Sequence, residues 1–321
     1  MKLSSILLPF IYIILAGCAP ERYESFGESD LKYLTLLPQE TNLIGSINFS
    51  KIRDTEIYDL FVKYAGRTPF ESEDYKIFVE KTGFDLQQDL NQVYFAGFGP
   101  GDRYNARGIF IATGNFSPEK ISDFIEEETS TSKKLISEYY HDFKLYRIPH
   151  EDLTFCFADT HTLIGGKDSL VMNSLDRFGK DNTLSTNLRK ELSSIRYKSQ
   201  VWIWMNTENF IASLPPSDLG DRIKSLETIR SGQMSMAMSN EVKFDGICLC
   251  GDEENAEIIR DMIKGAVATA KLSFSDDREG VDILNKINVE TDGNTVTVYF
   301  NISRDEIEHL LQKKGMIAWG R

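Results

Sequence analysis

The chain has 321 residues, of which 36 are basic and 49 acidic, giving a formal net charge of −13, and 41% are hydrophobic. So acidic a surface is repelled by nucleic acid, and a nucleic-acid partner is excluded on that ground. The apolar content is enough to bury a core in one large domain or two of ordinary size.

The first seventeen residues differ from the rest. Met1-Lys2 is a short positive start, and Leu3 to Leu15 is an apolar run broken by Ser4, Ser5 and Pro9. It has the length of a signal-peptide core and is shorter than the ~20 residues that span a bilayer. It ends in Leu15-Ala16-Gly17-Cys18. This stretch resembles the lipobox of bacterial lipoprotein precursors. The resemblance implies cleavage between Gly17 and Cys18 and a diacylglycerol-type anchor, palmitate included, on the Cys18 thiol. Two or three acyl chains hold a protein stably on a membrane where one does not. Residue 19 is alanine rather than aspartate. By the best-known Gram-negative sorting rule, this implies the outer membrane, facing the periplasm. Cleavage removes one basic residue, Lys2, so the mature body is one charge more negative.

Residues 18–30 read as a polar tether, and the body follows in two parts, 31–184 and 185–321. Gly108-Ile109-Phe110-Ile111-Ala112 reads as a strand that precedes a helix beginning at Ser117-Pro118, with Phe116 and Ile121 spaced as a hydrophobic staple. Shifted 138 positions, Gly246-Ile247-Cys248-Leu249-Cys250 precedes a helix capped at Asp252, with identities at Gly108/Gly246, Ile109/Ile247, Ile121/Ile259 and Ile125/Ile263. Each half then carries a strand pair and a closing helix. In the second half the pair turns at Asp292-Gly293, and the helix opens on a Ser303/Glu306 capping box. Hairpins dominate, so the expected class is α+β: a tandem duplication of a mainly antiparallel sheet with helices packed on one face. The pattern also resembles a loosely defined group of uncharacterised duplicated envelope proteins. The likeness rests on Leu37-Pro38 before the first strand and on Thr82-Gly83-Phe84-Asp85. It implies a fold and an envelope location, with no activity or site residues attached.

Candidate chemistry is sparse. His141, His150 and His161 fall within twenty-one residues among several carboxylates, and would suit a metal if the chain brought them together. Polar loop residues around a hairpin are the plainer reading. Trp202 and Trp204 share one strand face and would form a stacking platform if exposed; the opposite face, Val201, Ile203 and Met205, is apolar too, which argues for burial. Met234, Met236 and Met238 form a stripe that could line an adaptable apolar groove or pack in a core. Cys156, Cys248 and Cys250 remain once Cys18 carries lipid: buried thiols, or one bridge from Cys156 to either of the others. Gly97-Phe98-Gly99-Pro100-Gly101 lacks a following helix and reads as a hairpin loop, and Ser130/Lys133 is a chance Ser-x-x-Lys match. No cofactor is implied. The leading expectation is a membrane-anchored scaffold or binding module with a protein or envelope-polymer partner. The alternatives are a carrier of an apolar ligand held between the repeats, with Met236, Trp202 and Phe155 lining the groove, and a hydrolase or metal-dependent enzyme.

Overall fold

The computed structural model describes residues 26–64, 70, 72–98, 108–129, 135–148, 152–212, 224–274 and 277–314. Gly17, Cys18, His150, Ser130 and Lys133 lie outside the described residues, as do the signal region and most of the tether. Twelve strands are present among the described residues: β1 Leu43–Asn48, β2 Leu90–Gly97, β3 Gly108–Gly114, β4 Ile136–Tyr140, β5 Phe143–Ile148, β6 Leu153–Asp159, β7 Thr162–Gly166, β8 Val201–Asn206, β9 Ile229–Met238, β10 Glu241–Cys250, β11 Asn288–Asp292 and β12 Thr295–Ser303. They form one sheet in the order β11-β12-β10-β9-β8-β1-β2-β3-β7-β6-β5-β4. Every neighbouring pair is antiparallel.

The duplication is visible in that order. From the centre outward the first half runs β1-β2-β3-β7-β6 and the second β8-β9-β10-β12-β11. The first half adds β5 and β4 beyond β6; the expected strand over residues 144–148 forms as β5, whereas β4 has no counterpart in the sequence pattern. The two halves merge through antiparallel pairing of β1 with β8, where Ile44 faces Trp204 and Ser46 faces Trp202.

Helices among the described residues are α1 Glu28–Leu34, α2 Phe49–Arg53, α3 Glu56–Tyr64, α4 Glu73–Thr82, α5 Leu86–Asp89, α6 Pro118–Thr129, α7 Asp168–Leu175, α8 Thr186–Glu191, α9 Thr207–Ala212, α10 Glu253–Ser273, α11 Arg278–Asn285 and α12 Arg304–Lys314. Their starts follow local chemistry. The Asp252 carboxylate accepts from the Asn255 amide at 2.8 Å. The Ser303/Glu306 box closes in both directions, with the Ser303 amide donating to the Glu306 carboxylate at 2.9 Å and the Glu306 amide to the Ser303 hydroxyl at 3.4 Å. Gly83 ends α4 at φ 69°, a left-handed conformation that suits glycine.

The strand registers divide the side chains between two faces, since neighbours alternate along a strand. One face, here the tryptophan face, presents Ile44, Tyr94, Ala96, Ile109, Ile111, Leu145, Cys156, Ile164, Trp202 and Trp204, all buried in one core with Leu34, Leu37, Val171, Leu175, Leu188, Leu192 and Ile195. This core is covered by α1, α7 and the stretch from Leu184 to Ile195. It draws residues from both sides of the 184/185 boundary, so that boundary separates repeats but not cores. The other face, here the phenylalanine face, carries three smaller clusters. One packs β2, β3, β6 and β7 under α4 and α6, through Phe84, Phe116 and Ile121. The second packs β10, β11 and β12 under α10, through Cys250, Ile259 and Val296. The third holds Ile57 and Leu60 of α3 against Ile302 and Ile307. In the second half the Leu184–Ile195 stretch, which includes α8, covers Trp202 and Trp204 on the tryptophan face while α10, α11 and α12 lie on the phenylalanine face, so the expected one-faced packing does not hold there. In the first half too, helices cover both faces, because β5, β6 and β7 are apolar on both sides. The staple pair Phe116 and Ile121 shares one cluster, and Ile121/Ile259 and Ile125/Ile263 occupy matching positions on the inner sides of α6 and α10.

Candidate functional site

The tryptophans make no open platform. Trp202 is 1% and Trp204 5% exposed, and Phe26, inside the stretch 18–30 expected as a tether, lies 5.6 Å from the Trp202 ring; with α1 opening at Glu28, residues 26–30 belong to the folded body instead. The reason is their register: both point to the face that α1 and the Leu184–Ile195 stretch cover. Trp202 also cannot share a groove with Met236. The register pairs Trp202 with Ser235 and Val201 with Met236, which puts the tryptophan and the methionine on opposite faces.

His141 and His161 do not converge. His141 occupies the two-residue turn between β4 and β5 at φ 52°, beside the Asp176 carboxylate at 3.5 Å. His161 sits in the turn between β6 and β7, where its Nδ1 lies 3.1 Å from the Gly114 carbonyl and ties that turn to the end of β3. Each therefore secures its own turn, and among the described residues no three His, Cys, Asp or Glu side chains gather as a metal set.

The thiols are free and apart. Cys156 belongs to the tryptophan-face core, whereas Cys248 and Cys250 lie under α10 on the other face, so no bridge joins them. Burial pushes the Cys156 thiol up to about 12 and that of Cys248 to about 11, which keeps both protonated and inert.

What the structure does expose is an apolar strip across the middle of the phenylalanine face. Leu43, Ile47, Phe95, Val201, Ile203, Met205, Met234, Met236 and Met238 are all half-buried there. They stand outside the four hydrophobic clusters. Two rings lie flat because glycines sit beneath them. A Cβ on Gly45 would meet the Phe95 ring at 2.5 Å and the Trp202 carbonyl oxygen at 2.7 Å. One on Gly165 would meet the Phe110 ring at 2.4 Å. Phe244 borders the strip on the far side, 6.1 Å from the Phe300 ring. The strip spans β9, β8, β1 and β2, three strand spacings or roughly 14 Å, and four steps along a strand are about 13 Å, giving a half-buried apolar floor of roughly 190 Å². Helices α4 and α6 stand on one side of it, and α3, α10, α11 and α12 on the other. Three thioethers along β9 make it adaptable in shape.

The methionine stripe was legible in the sequence as an alternating run. The flat phenylalanines were not, since each depends on a glycine in a neighbouring strand, Gly45 opposite Phe95 and Gly165 opposite Phe110.

No family model matches this chain, and no curated protein does. Among solved structures, crystal form I of TP0453 is similar to it, with a TM-score of 0.45 and 14% identity over 91% of this chain and 98% of that one.

Proposed function

We propose that this protein is a lipid-anchored lipoprotein of the bacterial envelope that binds an apolar ligand along the phenylalanine face and performs no chemistry on it. The observation that carries this is the half-buried strip from Phe95 to Met236, bordered by helices but capped by none of the hydrophobic clusters. A floor of flat rings and thioethers offers contact area without hydrogen-bond direction, which suits an acyl chain or similar aliphatic group better than a sugar or peptide backbone. The Leu15–Cys18 motif supports the anchor, and among the described residues no helix is long and apolar enough to cross a membrane.

The test is titration of the full chain with a fluorescent fatty acid. Binding is expected, and Met236→Glu and Ile203→Glu are each expected to weaken it at least tenfold with the far-ultraviolet circular dichroism unchanged. Failure of the unaltered protein to bind any aliphatic probe would sink the proposal. So would equal binding by both variants.

A further inference from the structure

The lipidation reading gives the body an attachment point, and the fold says which way the body must then face. Described structure begins at Phe26, packed over Trp202 and Tyr197 on the tryptophan face with ring separations of 5.6 and 4.9 Å. From Cys18 to Phe26 there are eight residue steps. Fully extended, they reach about 28 Å. To bring the phenylalanine face to the bilayer, the chain would have to pass a strand end, the sheet and the helix layer on that face, each layer about 10 Å thick. That detour alone uses most of the reach.

Charge points the same way. The segment from Arg177 to Lys198 carries six basic residues and two acidic ones, Asp181 and Glu191, in a chain whose net charge is −13. Its apolar residues Leu184, Leu188, Leu192 and Ile195 are buried against the tryptophan face, while Lys180, Arg189, Lys190, Arg196 and Lys198 are exposed on its outer side. Arg196 also reaches the sheet itself, 2.9 Å from the Asp245 carboxylate. A basic island on an acidic body, on the face where the tether ends, complements a phosphate-bearing lipid surface. Cations held near such a surface are drawn to it electrostatically, within about a Debye length.

We infer that the tryptophan face lies against the bilayer, with the Arg177–Lys198 segment on anionic lipid headgroups and the apolar strip turned away from the membrane. The inference rests on the Cys18 anchor. Full-length lipidated protein is reconstituted into vesicles of phosphatidylethanolamine and phosphatidylglycerol, floated, and labelled with a membrane-impermeant amine reagent. Peptide mass spectrometry then compares Lys180, Lys190 and Lys198 with Lys120 and Lys264, which stand on α6 and α10 over the other face. The expected result is several-fold slower labelling of the first three in vesicles than in detergent, with the last two unchanged. Flotation with no difference between the two sets, or with the protection reversed, overturns the orientation and leaves the anchor standing. Failure to float overturns both.

Discussion

Replacing Gly165 by alanine puts a methyl group where the Phe110 ring lies. The three nearest atoms to that methyl, at 2.4, 2.7 and 3.1 Å, all belong to the ring. Overpacking of this kind costs about 1–3 kcal/mol, and the reduced freedom of the unfolded chain returns about 0.5–1 kcal/mol, so a net loss of about 1–2 kcal/mol is expected. Phe110→Ala alone should cost about 2–3 kcal/mol, below the figure for a fully buried ring because Phe110 is half-buried. In the double variant the clash has no partner. It should be no less stable than Phe110→Ala, giving a coupling energy of about 1–2 kcal/mol. The same cycle at Gly45 and Phe95 should recover less, because the Gly45 methyl would still meet the Trp202 carbonyl oxygen at 2.7 Å, and backbone does not swing aside. Urea unfolding followed by the fluorescence of Trp202 and Trp204 measures all six variants. Additive losses at Gly165 and Phe110, or equal rescue at both sites, would refute the account of rings resting on glycines.

Other expectations follow from the same geometry. Trp202→Ala should destabilise by about 3–5 kcal/mol in the same unfolding assay, since the indole is fully buried; a loss under about 1 kcal/mol would mean the ring stands in solvent. Cys18→Ala should abolish incorporation of labelled palmitate and release the protein from the membrane fraction, and persistent labelling would disprove the anchor. Alkaline pH should weaken the fold. The Cys156 thiol has a folded-state pKa near 12, raised from 9.0 by burial, so its contribution is complete below about 9 and is lost as pH climbs toward 12. Cys156→Ala should shrink the stability loss between pH 9 and 11, and an unaltered pH profile would remove the thiol as its cause. Tyr94→Phe should cost about 1–2 kcal/mol, because the Tyr94 hydroxyl donates to the Asp30 carboxylate at 2.6 Å and leaves that group underpaired when removed.

The fold was legible in the sequence where periodicity and caps carried it. The strand-helix unit at 108–125 and its copy at 246–263 both formed, because the same isoleucines fill the same places on the inner sides of α6 and α10. The Ser303/Glu306 box was readable because capping is a local matter. Strand β4 was not, since Ile136 and Tyr139 are exposed at a sheet edge and carry no clean alternation. The site was half legible. The alternation of Met234, Met236 and Met238 placed them on one face, but which face stayed open depended on where α1 and the Leu184–Ile195 stretch docked. That docking also decided against the tryptophans. His141 and His161 are close only along the chain, because they lie in separate turns and each is held by its own neighbour.

The seam between β1 and β8 has a consequence for how the molecule is made. Its partners lie more than 150 positions apart, at Ile44 with Trp204 and Ser46 with Trp202. During synthesis the first half emerges with β1 as a bare edge, and three of its six residues end up buried in the finished sheet. Such an edge is a template for pairing with another copy until the second half arrives. Late closure of so distant a contact is slow. A cell producing this chain would therefore gain from keeping it unfolded until the last strand is out. A fragment ending near Leu184 should self-associate rather than behave as half a protein.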